Sequence, residues 1–115
     1  MANVMRRVAA TLADANLEAS NLEGANLEGA NLEASNLEGT NLDKANLEAS
    51  NLEGTNLEGT NLDKANLEAS NLDKANLEAS NLDGAKLYKK TVLFENTVFK
   101  NTVLDNHTLY KITLD

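Results

Sequence analysis

The sequence predicts an all-β solenoid, a chain wound into stacked four-sided coils, and three observations predict it. Leu stands at every fifth position from Leu17 to Leu87 without exception, and Ala10-Thr11-Leu12 is a first, imperfect copy. Asn precedes that Leu at all fourteen positions from Asn16 to Asn81, and the residue two before the Leu is Ala, Ser or Thr throughout Ala10–Ala85. Finally, period five suits neither regular element. Five residues of α-helix advance 140° beyond a full turn, so the Leu would spiral around the helix and form no stripe. In a flat strand, the same spacing throws successive Leu to opposite faces.

The chain must therefore turn within every unit to keep all its Leu inside. Hairpins fit poorly, because the repeats lack Asn-Gly or Asp-Gly at a two-residue turn, apart from Asp83-Gly84 at the end. What remains is a coil with one short side and one corner per five residues. Leu and the small residue two before it point inward; the acid and its follower sit outside, near the corner. The number of sides follows from self-comparison. The window Asn36–Thr55 matches itself at 17 of 20 positions after a shift of 20 residues, at 16 after 30 and at 12 after 15. Four sides per coil is the best reading, and 14–87 then form about four coils.

Composition sets the outer bounds. At 115 residues one domain is the default, so 1–115 reads as a single solenoid. Leu and Asn fill 38 of the 115 positions, a bias that signals repetition. Leu, Ile, Val and Phe total 28, about 24%, enough for a core where a disordered chain falls below roughly 20%. With no Cys there is no disulfide framework, thiolate nucleophile or zinc-finger-type site. No stretch approaches the ~20 apolar residues that span a bilayer. Val8–Ala13 is too short and too weakly apolar for a signal peptide, so the expected location is cytoplasmic. A net charge of −8 argues against direct nucleic-acid binding.

The two ends read as caps, which solenoids need because a coil stack ends in unpaired backbone. Within 1–13, Val4, Met5, Val8 and Leu12 have helical spacing and Asn3 can serve as N-cap, which predicts a short amphipathic helix closing the first coil. A membrane-surface or partner-binding helix is the alternative, with only Arg6 and Arg7 to support it. Beyond Leu87 the aromatics Tyr88, Phe94, Phe99 and Tyr110 enter, and none lies within the repeats. Phe94, Phe99, Leu104, Leu109 and Leu114 keep period five, while Leu87 to Phe94 is seven. Residues 88–115 are thus expected to form a β-rich C-terminal cap with an irregular join around Tyr88–Val92. Its open edge is also a candidate surface for a homodimer, with Lys89, Lys90, Lys100 and Lys111 as possible guards of that edge.

The tandem units, such as Ser20-Asn21-Leu22-Glu23-Gly24, resemble the pentapeptide-repeat family, whose consensus is Ala-(Asp/Asn)-Leu-x-x. The resemblance covers Ala10 to about Leu87, two thirds of the chain in sixteen units. It implies a right-handed quadrilateral β-helix. The units are so uniform that they look like an artificial consensus sequence, where family members usually admit Phe, Cys and Asp.

A search for chemistry finds no catalytic, cofactor-binding or metal-binding residue. His107 is the sole His and has no Cys or second His to join it; Asn106-His107-Thr108 matches a glycosylation pattern by coincidence. Ser20, Ser35, Ser50, Ser70 and Ser80 are interior repeat positions without a base. A catalytic carboxylate pair needs two different environments, and repetition makes every Glu alike. The chain therefore reads as no enzyme, with no small-molecule substrate.

The acids do form columns. On the four-sided reading Glu18, Glu38, Glu58 and Glu78 stack on one side, and Glu28, Glu48 and Glu68 on another. A third carries Glu23, Asp43, Asp63 and Asp83 with Lys44 and Lys64 compensating. From Ala13 to Ala85 there are 15 acids and 3 Lys, net −12. Over a stack of roughly 18 Å this is about one net charge per 1.5 Å, comparable to duplex DNA at one per ~1.7 Å. Two functional readings follow. One is a structural scaffold whose acids keep it soluble. The other comes from the resemblance, because some members mimic DNA and bind bacterial gyrase; the long loops or long dimeric stacks of those members have no counterpart here. A weak cation-binding surface along the Glu columns is a further possibility, with no calcium-loop spacing behind it.

Overall fold

In a computed structural model, the described residues are 11–87, 97–99 and 101–103. They form a four-sided solenoid. Parallel bridges join residues 20 apart, from Thr11 with Asn31 and Asn16 with Asn36 through Asn61 with Asn81. Each coil is thus four units long, the number that the self-comparison predicts. The coils span 11–30, 31–50, 51–70 and 71–87.

One unit, Ala45-Asn46-Leu47-Glu48-Ala49, shows why this pattern closes. The N–H of Ala45 donates to the carbonyl of Leu42 at 3.0 Å and ties the preceding corner as a four-residue turn. The N–H of Asn46 reaches the carbonyl of Ala25 in the coil before, at 2.9 Å. Leu47 and Ala49 donate forward, to Asn66 at 2.8 Å and Glu68 at 2.9 Å. The remaining N–H, of Glu48, is accepted by the side-chain Oδ1 of Asn46 at 3.1 Å. All five backbone donors of the unit are satisfied, as buried or half-buried amides require.

The corners have a further demand. The third residue of each corner turn in the repeats has positive φ, from 58° at Ala34 to 72° at Gly84, as a type II turn requires. Six of these corners hold Gly, but Asp14, five Ala and three Lys adopt the same conformation. An L-residue there costs roughly 1–2 kcal/mol, so the non-glycine corners are strained and the stack holds them in place.

Inside, the expected two-residue pattern is present. Every fifth Leu from Leu32 to Leu82 has no accessible surface, and Leu87 only 2%. The small residues beside them, Ala45, Thr55, Ala65 and Ser70 among others, are equally buried. Most buried hydroxyls find backbone acceptors: Ser70 Oγ and Thr60 Oγ1 donate to the Leu carbonyl three residues back, and Thr55 Oγ1 to Leu32 in the previous coil, while Ser50 Oγ has no partner among the described residues.

At the C-terminal side the register steps from 20 to 22: Asn76 pairs with Val98 and Asn81 with Val103. The two extra residues are the slip visible between Leu87 and Phe94. Thr97 and Thr102 still bond to Leu72 and Leu77, and Phe99 packs on the core. Residues 97–99 and 101–103 thus add two further sides to the stack, with Val98 and Val103 at the Asn positions. The expected N-terminal helix lies outside the described residues, as do the join at Tyr88–Val92 and most of the cap at 88–115.

Leu47→Ala is expected to cost about 2–5 kcal/mol in urea denaturation, whereas Glu48→Gln is neutral or stabilising at low salt. A Leu47→Ala midpoint equal to the parent's would contradict the inward placement. At the corners, Gly54→Ala is expected to destabilise by about 0.5–1 kcal/mol and Ala69→Gly to stabilise by about 0.5 kcal/mol. An added Cβ at Gly54 meets nothing within 4 Å, so the effect reads backbone strain alone.

Candidate functional site

The outward surface is built from three positions of each unit: Asn, the acid and the corner residue. Corner residues of the repeats are exposed. The acids are fully exposed in the first coil and half-buried from Glu38 to Glu78, because coils above and below flank them. Stacked acids stand one inter-strand spacing apart, about 4.8 Å, where unscreened like charges in water cost about 1 kcal/mol.

Four faces result, and they differ in charge. Among the described residues the Glu18/Glu38/Glu58/Glu78 face carries no basic residue, and the Glu28/Glu48/Glu68 face carries one at its far end, the exposed Lys86 paired with Asn66. They lie opposite each other, since their Leu, such as Leu37 and Leu47, are two sides apart in one coil. The Glu23/Asp43/Asp63/Asp83 face bears Lys44 and Lys64, and the Glu33/Glu53/Asp73 face bears Lys74. Lys64 Nζ lies 3.8 Å from Asp63 Oδ2, an exposed pair of little energetic weight. Lys44, Lys64 and Lys74 each follow an Asp, never a Glu.

Asn is the residue whose role the sequence pattern alone did not reveal. Each of the fourteen repeat Asn accepts the acid N–H through Oδ1, at 2.9–3.2 Å. Some also form a loose ladder between coils, as with Asn41 Nδ2 to Asn21 Oδ1 at 3.4 Å. The available signal was the preference of Asn for bonding a backbone N–H two residues on.

Little reactive chemistry is available here. Ser35, Ser70 and Ser80 are at most 2% exposed, and their hydroxyls donate to turn carbonyls. Among the described residues no group of His, Asp or Glu could hold a metal ion. His107 lies outside them. No helix among them is long and apolar enough to cross a membrane.

The family model for pentapeptide repeats matches residues 10–48 and 50–87 in eight copies. The chain belongs to the pentapeptide-repeat family. Solved pentapeptide-repeat structures superpose on it. Rfr23 from the cyanobacterium Cyanothece 51142 is 42% identical with a TM-score of 0.78, covering 83% of this chain and 64% of Rfr23. HetL from Nostoc sp. strain PCC 7120, involved in heterocyst differentiation regulation, is 32% identical with a TM-score of 0.67, covering 84% and 41%. A pentapeptide-repeat protein of the Arabidopsis thaliana thylakoid lumen is 25% identical with a TM-score of 0.62, covering 81% and 57%. The chain thus spans less than two thirds of each. No curated protein sequence matches it. Pentapeptide-repeat proteins form right-handed quadrilateral β-helices, the class to which these neighbours belong.

Asn56→Ala removes the acceptor of the Glu58 N–H and is expected to cost about 1 kcal/mol by urea denaturation. Asn56→Asp restores an acceptor but adds charge between acid columns, so it should approach the parent at high salt and fall below it at low salt. Equal losses for both variants would show that the Oδ1 bond is not what matters.

Proposed function

We propose that the chain is a non-catalytic structural scaffold, a right-handed solenoid of consensus pentapeptide repeats whose units are interchangeable. One observation carries this reading: the same backbone bonds and the same Asn-to-acid bond recur in unit after unit of the described coils. Pentapeptide-repeat proteins are generally structural or protein-binding rather than catalytic. The uniformity of the units is also what an artificial consensus sequence would have.

The alternative, an acidic DNA mimic that binds gyrase, draws on the acid columns, above all the Glu18/Glu38/Glu58/Glu78 face, which holds no Lys among the described residues. It has little else. Every described corner from 11 to 85 is the same four-residue turn, and no loop projects between them. A homodimer through the C-terminal cap is likewise outside the proposal. Val98 and Val103 are 42% and 55% exposed, but they occupy Asn positions and face sideways rather than along the coil axis.

Interchangeability has a direct test. Inserting one unit, Ala-Asn-Leu-Glu-Gly, between Gly59 and Thr60 adds one side and turns the later coils by a quarter. The parallel-β circular dichroism and the thermal midpoint should equal or exceed the parent's. Inserting two residues there adds no side and must bulge the corner, as the two-residue register step at Val98 does, so the thermal midpoint should fall below the parent's. Loss of fold in both would defeat the scaffold reading. Binding to gyrase that weakens with salt and with Gln at Glu38, Glu58 and Glu78 would favour the alternative.

A further inference from the structure

Asp83-Gly84 is the one Asp-Gly pair in the chain, and the scaffold reading gives it no part. It fills the second and third positions of the corner Leu82–Ala85. There the N–H of Ala85 donates to the carbonyl of Leu82 at 3.0 Å, and Gly84 has φ 72°. Asp83 is exposed, whereas Asp43, Asp63 and Asp73 at the equivalent position of their corners are half-buried. Its follower has no side chain to crowd the main-chain nitrogen. An accessible carboxyl before an uncrowded nitrogen can close a five-membered imide ring. The Glu-Gly corners, such as Glu53-Gly54, would need a slower six-membered ring, and Lys follows the other three corner Asp.

We propose that Asp83-Gly84 is a latent site of backbone isomerisation, held shut by its own turn and by the coil before it. In the reaction the Gly84 nitrogen attacks Cγ of the protonated Asp83 carboxyl. A C–N bond forms, and the amide proton leaves with the carboxyl hydroxyl as water. A second water then adds to one of the two imide carbonyls and breaks its C–N bond. Breaking the side-chain bond restores Asp83. Breaking the main-chain bond leaves isoaspartate, whose main chain runs through the former side chain. No oxidant or cofactor is consumed. The folded corner opposes the first step. In a type II turn the second residue has ψ of about 120°, which turns the following nitrogen away from its Cβ, so attack requires that peptide to rotate. The carbonyl of the same peptide accepts the Lys64 N–H at 2.8 Å, and rotation breaks this bond between coils. The Lys64 stem lies alongside, its Cγ 3.1 Å from where a Cβ on Gly84 would stand. Asn81 Oδ1 holds the Asp83 N–H at 2.9 Å. Isomerisation therefore waits for the corner to open.

The test follows isoaspartate at position 83 of the full chain by peptide mapping near neutral pH, with heavy-oxygen water marking each ring opening. In urea above the unfolding midpoint, isoaspartate should form at Asp83 ahead of Asp43, Asp63 and Asp73. In the native chain it should form at least about tenfold more slowly, which corresponds to a corner-opening free energy of roughly 1.4 kcal/mol or more. Asn81→Ala removes the acceptor of the Asp83 N–H and should raise the native rate about fivefold while leaving the rate in urea unchanged. Equal rates in the native and unfolded parent would show that exposure alone governs the pair, and would overturn the proposal. So would the absence of isoaspartate at Asp83 in urea, or a native Asn81→Ala rate equal to the parent's. If Asn81→Ala fails to fold, the parent's ratio of native to unfolded rates still decides.

Discussion

The structure depends on giving every backbone N–H of a five-residue unit its own acceptor. Three of those donors reach neighbouring coils and one ties the turn. The fifth, on the acid, points where no neighbouring carbonyl lies, and the preceding Asn side chain accepts it. Without that bond each unit would leave a polar group stranded against the stack, repeated fourteen times. A coil this narrow exists because one side chain substitutes for a missing strand neighbour.

Once the backbone is satisfied, the side chains have little freedom. Leu fills the axis, and only Ala, Ser or Thr fits beside it. Interior hydroxyls such as Ser70 and Thr60 are tolerated because a turn carbonyl lies within reach. Corners take whatever can adopt positive φ, ideally Gly, yet Ala69 and Lys64 are held there by the hydrogen bonds on either side. The strain at such corners is local, whereas the Leu core and the inter-coil bonds are shared along the stack. That division lets the corners vary while the interior stays constant.

The same repetition shapes what the surface can do. Faces with different numbers of Lys give the molecule a charge pattern, but the acids of the middle coils all occupy the same half-buried position of the unit. Catalysis needs differentiated groups, and a row of equal carboxylates does not supply them. The related pentapeptide-repeat structures share this framework at up to 42% identity while being longer chains. Their extra length is where individual members can differ, which suits a fold whose core says little about its partners.

Much of this was legible in the residues. The inward placement of Leu47 and Ala45, and four sides per coil, follow from period five and from the 20-residue self-match. The changed register beyond Leu87 is visible as a seven-residue gap. Other features were not. That Asn46 Oδ1 serves the Glu48 N–H, that Ala69 adopts positive φ, and that the Glu38 and Glu48 columns lie on opposite faces depend on the coil closing on itself. So does the contrast between a half-covered Leu17 and a sealed Leu37. Local spacing determined which residues go inside, because burial follows period. Only the tertiary structure decided how the polar backbone is satisfied and how the faces are arranged, because those partners lie about twenty residues apart and meet when the coil is complete.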